Sequence, residues 1–140
     1  MIFDMYPNWR KISIEDIASQ NKTAIAIGPF GSRMKSDCYV KDGIPVIRGQ
    51  NITDGIYPEG EFAYITEDKA NELKSSQVFE GDLVFPHRGA IGKVALVRDS
   101  THMIISSSLM KLTPDKDKCS PEFLLYFFRS RIGQYELLKN

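Results

Sequence analysis

Glu80-Gly81-Asp82-Leu83-Val84-Phe85-Pro86-His87-Arg88-Gly89-Ala90-Ile91-Gly92 contains a turn, a strand and a glycine-flanked loop in immediate succession. Acidic residues around a glycine favour the turn. Leu83-Val84-Phe85 reads as a buried strand, and it stops at Pro86, which lacks the N–H that a ladder requires. Beyond Pro86 no residue restores a strand or helix period until Lys93, so His87 and Arg88 stand at the mouth of a loop.

Working upstream, Phe62 to Ile65 reads as another strand, with Phe62 and Tyr64 on one face. Thr66 then caps a helix whose first turn holds Glu67 and Asp68, favourable at the positive end of the dipole, and whose apolar contacts are Ala70 and Leu73. Ile44-Pro45-Val46-Ile47-Arg48 is a short strand, and so is Thr23 to Ile27. Between them lies a long irregular segment opened by Gly28-Pro29-Phe30-Gly31-Ser32; such loops in compact domains are commonly functional. Ser13-Ile14-Glu15-Asp16 has the form of a capping box, predicting a helix through Ile17 to about Gln20, with Trp9 and Ile12 packed beside it.

Downstream, Lys93 to Arg98 and Met103 to Ser106 flank the polar turn Asp99-Ser100-Thr101 and read as a hairpin. Leu109 to Thr113 adds a strand. Ser120 with Pro121 marks a helix start, after which Phe123, Leu124, Phe127, Phe128, Ile132, Tyr135 and Leu138 recur at helical spacing over about 121–138. The expected fold class is therefore α+β: one domain spanning 1–140, with a twisted, mainly antiparallel and partly barrel-like β-sheet, short helices and a C-terminal amphipathic helix.

Composition narrows the function classes. The 140 residues carry 42% hydrophobic and 26% charged side chains, too apolar for intrinsic disorder. The longest apolar runs, such as Val94 to Val97, are too short to cross a bilayer, and Asp4, Pro7, Asn8, Trp9 and Arg10 interrupt any secretory signal, so a cytoplasmic location is expected. Cys38 and Cys119 are far apart and read as reduced, structural thiols. Net charge is zero, yet it is segregated: Arg33, Lys35, Lys41 and Arg48 face only Asp37 and Asp42 between Gly28 and Asn51, whereas Glu59 to Asp82 is strongly acidic. Either a basic and an acidic face or an ordinary solvated surface fits that pattern.

Enzyme signatures are weak. Gly89-Ala90-Ile91-Gly92-Lys93 has glycines too close together for a phosphate loop and no hydroxyl after the lysine to hold magnesium. Pro114-Asp115-Lys116-Asp117-Lys118 lacks the further carboxylate and lysine of a nuclease metal site and reads as a charged turn. His87, His102 and Cys119 have no adjacent partner in a nucleophile and base arrangement. No glycine fingerprint opens a helix after a strand, so no cofactor is expected.

Three stretches stand in order: Gly28-Pro29-Phe30-Gly31-Ser32-Arg33-Met34-Lys35, Gly43-Ile44-Pro45-Val46-Ile47-Arg48-Gly49-Gln50-Asn51-Ile52, and the Glu80 to Gly92 segment. With the start at Trp9 and the final Pro-Glu-Phe-Leu-Leu-Tyr helix, the chain resembles the target-recognition domain of type I restriction-modification specificity subunits. That resemblance runs from Trp9 to about Leu138. It implies a non-catalytic domain that reads one half of a split site on double-stranded DNA. Methyl transfer would belong to partner modification subunits, a restriction and translocation subunit would join through the complex, and a second target-recognition domain would read the other half-site. The helix at 121–138 leads toward the position of the family's spacer helix, and the chain stops at Asn140 before one. The alternative is a solitary interaction module that binds methyltransferase subunits without reading DNA.

Side-chain chemistry selects the candidate DNA contacts. Arg presents a fork to guanine, while Gln and Asn offer the donor and acceptor pair that matches adenine. Arg48, Gln50 and Asn51 at a strand end, and His87 with Arg88 in the glycine-flanked loop, are the candidate readers. Arg33, Lys35 and Lys93 are better suited to phosphate contacts, which fix register and supply salt-dependent affinity. Local alternatives stand beside these: Asn51 bonding its own turn, Arg48 pairing with Asp54, and the glycines only shaping loops; Phe30, which could stack or wedge, is expected to anchor its loop in the core.

Overall fold

The structure is a computed structural model that describes residues 8–98 and 102–139. Among the described residues, eight strands form two four-stranded sheets. We number them β1 (Ile25–Ile27), β2 (Ile44–Ile47), β3 (Ala63–Ile65), β4 (Gln77–Val78), β5 (Leu83–Pro86), β6 (Ala95–Leu96), β7 (Met103–Ile105) and β8 (Leu109–Leu112). The first sheet has the order β1-β8-β5-β6 and the second β3-β2-β7-β4. Pairing is antiparallel except between β2 and β7, where Val46 faces Ile104 and Ile47 faces Ile105 in parallel register. Among the described residues four α-helices accompany them: α1 (Ile14–Ile17), α2 (Glu67–Glu72), α3 (Pro121–Arg129) and α4 (Arg131–Leu138).

Side-chain alternation along the strands assembles three apolar clusters. On β5, Leu83 and Phe85 point into a cluster with Ile17, Leu124, Leu125 and Phe128, whereas Val84 points the other way, toward Ile47, Ile105 and Leu109. On β2 and β7, Ile47 and Ile105 join that middle cluster while Val46 and Ile104 turn outward to Ile65, Ala70, Leu73 and Met34. The layers therefore run from α1 and α3, through the first and second sheets, to α2 and the Met34 loop. Both faces of these central strands are covered, which is why Leu83-Val84-Phe85 is an unbroken apolar run.

Several expectations are corrected. The α+β, mainly antiparallel class holds, but the strands divide between two sheets rather than one, and neither described sheet closes into a barrel. The hairpin joining Lys93 to Arg98 with Met103 to Ser106 does not exist, because β6 pairs with β5 and β7 pairs with β2 and β4; the turn Asp99-Ser100-Thr101 lies outside the described residues. Apolar demand on both sides of β7 outweighs the local polar turn. The C-terminal helix is broken at Ser130, whose extended backbone ends α3 and whose hydroxyl accepts from Gly133 N–H to start α4. Gly133 permits that elbow, since a Cβ there would stand 1.9 Å from the Phe127 carbonyl oxygen. The capping box at Ser13 forms, but α1 ends at Ile17; Trp9 and Ile12 are 57% and 47% exposed.

Arg129 fastens α3 to the rest of the fold. Its guanidinium donates to the carbonyls of Asp54 at 3.2 Å, Val94 at 3.0 Å and Gly55. Two charged groups, Asp82 and Lys111, are also buried. Asp82 accepts from Thr113 Oγ1 at 2.7 Å and Phe79 N–H at 2.9 Å, and Lys111 Nζ donates to the Gln77 carbonyl at 2.7 Å. Burial pushes the Asp82 carboxyl up and the Lys111 ammonium down from their ordinary values, outweighing their mutual attraction. Both thiols are free and half-buried.

Candidate nucleic-acid interface

The three marked stretches meet at one turn, Ser106-Ser107-Ser108, which carries the chain from β7 in one sheet to β8 in the other. After β2, Ser106 N–H donates to the Ile47 carbonyl at 2.9 Å, and Ser108 Oγ is 3.8 Å from the Cβ position of Gly49. After β1, Gly28 N–H donates to the Leu109 carbonyl at 2.9 Å. After β5, His87 N–H donates to the Ser108 carbonyl at 2.9 Å. The Ser107 carbonyl accepts from His87 Nε2 at 2.8 Å and from Arg88 Nη2 at 2.9 Å. A carbonyl only accepts, so Nε2 carries the imidazole proton. Loops that are distant in sequence thus share one edge of the two sheets.

This edge presents some predicted residues and withdraws others. Gln50 is exposed on the tight turn Gly49–Asn51, and Arg88 is exposed with its fork held from one side by Ser107. His87 is half-buried beside it. Asn51 is fully buried, and its expected part in base reading is corrected: Oδ1 accepts from Arg48 N–H, while Nδ2 donates to the Glu59 and Glu61 carbonyls, all at 2.9 Å. Its amide is consumed in holding the turn and the acidic loop. Arg48 is half-buried, donates from Nη2 to the Glu61 carbonyl at 3.3 Å and lies 5.9 Å from the Tyr39 ring centre, instead of pairing with Asp54.

The cations nominated for phosphate are all exposed. Arg33 is committed on one side, donating from Nη2 to the Glu72 carbonyl at 3.0 Å, where it also meets the negative end of α2. Lys35 follows it in the same loop. Lys93 lies at the far end of the His87 loop, which α4 grips through Gln134 Nε2 and the Gly92 carbonyl at 2.8 Å. His87 and Lys93 both line a shallow cavity of about 200 Å³, together with Phe85, Met110 and Leu137.

Two features escaped sequence reasoning. The reading of Met103 to Ser106 as a strand takes in Ser106 and gives Ser107 and Ser108 no element, although three small hydroxyl residues after Met103-Ile104-Ile105 are a turn signal. Phe30, expected to anchor its loop in the core, is 73% exposed; buried Pro29 and Met34 do the anchoring. Among the described residues no group of three or more His, Cys, Asp or Glu could hold a metal ion. No helix among them is long and apolar enough to cross a membrane.

Two paired sheets, one antiparallel and one mixed, with loops gathered at one edge make a fold like that of the HsdS subunit. The HsdS subunit of Thermoanaerobacter tengcongensis superposes with a TM-score of 0.66 at 19% identity, covering 95% of this chain and 30% of that one. A chain from a structure concerned with complex assembly and conformational transition of the type I R-M system gives 0.67 at 20% identity, with the same coverage. In sequence, the chain is 28% identical over 101 residues to the EcoBI type I restriction enzyme specificity subunit of Escherichia coli, covering 72% of this chain and 21% of the relative. It is 29% identical over 93 residues to the protein named as the MjaX specificity subunit of Methanocaldococcus jannaschii, covering 64% and 22%. The chain thus spans about a fifth of the length of these relatives. No family model matches it.

Proposed function

We propose that this chain recognises one half of a bipartite DNA sequence as the specificity element of a type I restriction-modification complex and performs no catalysis itself. The carrying observation is the convergence of the Gly28, Gly49 and His87 loops on the Ser106–108 turn, which sets Gln50 and Arg88 at one edge. Gln and Arg have the side-chain geometries that distinguish base edges in the major groove. Lys35, Lys93 and Arg33 supply the phosphate contacts that orient the domain. Methylation is carried out by partner modification subunits, cleavage and translocation by a restriction subunit joined through the complex, and the second half-site is read by another target-recognition domain.

A second reading, docking onto methyltransferase subunits without reading DNA, is favoured by the exposed aromatic residues Phe123, Tyr126 and Tyr135 on α3 and α4. One experiment separates the two. Residues 1–140 replace a target-recognition domain in a complete specificity subunit, and methylated adenines are mapped after assembly with the modification subunits. DNA reading predicts a new half-site paired with the unchanged half; assembly without methylation, or with the original pattern, refutes it.

A further inference from the structure

Phe30 has no folding role that its position explains. Its ring is 73% exposed, yet the loop beneath it is tightly held. Gly28 is seated on the Ser106 carbonyl and bonds Leu109. Pro29 is buried. On the other side Arg33 N–H donates to the Phe30 carbonyl at 2.8 Å, the Arg33 side chain grips the end of α2, and Met34 is buried in the outer cluster. An apolar ring is therefore displayed from a loop that the fold holds on both sides, an arrangement that limits the conformational freedom a contact group loses on binding. Phe30 follows by two residues Gly28, which is seated on the same serine turn that holds Arg88 and His87.

We propose that Phe30 is a specificity-determining residue that enters the DNA groove and makes an apolar contact with a base. This inference rests on the DNA-reading proposal above. A ring without donors or acceptors cannot bond a phosphate, and the apolar features a duplex offers in its grooves are the thymine methyl group and base faces. Such a contact releases no counterions, so it discriminates sequences without changing the salt dependence of binding.

The test uses the assembled methyltransferase carrying this chain, with duplexes of the methylation-mapped target and of scrambled sequence, titrated over a salt series. Phe30→Ala should lower affinity for the target about tenfold while leaving scrambled DNA and the salt slope unchanged. Phe30→Leu, which keeps apolar bulk, should lose less. Lys35→Ala, in the same loop, should instead reduce the slope by about 0.9. Equal loss on target and scrambled DNA, or no loss on either, overturns the role of Phe30. Absence of any sequence preference in the unsubstituted assembly overturns the underlying DNA-reading proposal instead.

Discussion

Gly28 lies directly against Ser106: a Cβ built on Gly28 would stand 1.9 Å from the Ser106 carbonyl oxygen and 2.5 Å from its carbon. No rotamer change relieves a clash with backbone, so Gly28→Ala must push the first loop off the serine turn. The expected loss is about 1 to 3 kcal/mol, the range for overpacking a close contact. Gly31, three residues on, has nothing within 4 Å of its Cβ position, and Gly31→Ala should change stability little. Urea denaturation of the pair reads the contrast, and equal effects would contradict the seat described.

Asn51 is a lock rather than a reader. Asn51→Ala leaves the Arg48 amide and the Glu59 carbonyl without this partner, and leaves the Glu61 carbonyl only its bond from Arg48 Nη2. A fully buried group costs about 1 to 3 kcal/mol when left unpaired; these groups are only partly buried, and rehydration of the turn should hold the total to about 3. Asn51→Asp should be worse, because it sets a carboxylate against those two carbonyls. Stability measured by equilibrium unfolding should fall in that order. A stable Asn51→Ala variant with altered sequence preference would return this residue to the reading set.

The difference between Asn51 and Gln50 marks where sequence reasoning runs out. Both offer an amide at a strand end, and residue type places both near the edge. Which one points outward depends on the Glu59 to Glu61 carbonyls, contributed by a segment with no periodicity to locate it. Likewise, Leu83-Val84-Phe85 announced a buried strand, and Thr66 with Glu67 and Asp68 announced α2, because those signals are local. The partner of β7 is set by apolar burial on both faces, and β2 lies far away in sequence. Ser130 breaks the C-terminal helix although the apolar period continues through it, since Gly133 lets the chain pack against Phe127.

Lys111 makes stability rise with pH on the alkaline side. Its folded-state pKa lies below the ordinary 10.5 because burial disfavours the ammonium. Between the folded and unfolded values the unfolded chain binds more protons, so the folded state gains as pH climbs toward about 10.5. Lys111→Met removes this dependence, along with the bond to the Gln77 carbonyl. Urea midpoints from neutral pH to pH of about 10 should therefore show the parent protein gaining on the variant. A constant gap would mean that the two states hold this proton equally.

Arg129 should be the most sensitive basic residue for stability. It gathers the carbonyls of Asp54, Gly55 and Val94, and only a planar fork spans acceptors from two separate segments. Arg129→Ala is expected to lose about 2 to 4 kcal/mol, chiefly by leaving the partly buried Gly55 and Val94 acceptors unpaired. Arg129→Lys keeps the charge but cannot reach all of them, and should lie in between. Thermal unfolding tests this, and full rescue by lysine would show that charge alone is what α3 requires.

Arg88 separates reading from mere attraction. Its guanidinium is steered by the Ser107 carbonyl at 2.9 Å, leaving further N–H donors of an exposed fork for a partner. Under the DNA-reading proposal that fork faces guanine, where two parallel bonds contribute about 1 to 3 kcal/mol of discrimination. Arg88→Lys then keeps the charge and the salt slope but relaxes one position of the methylated sequence, as scored by mapping adenines modified by the assembled enzyme. Were Arg88 only a phosphate contact, lysine would preserve the sequence preference, and Arg88→Ala would weaken all duplexes alike while lowering the slope by about 0.9. The two substitutions together thus decide which part of DNA this side chain touches.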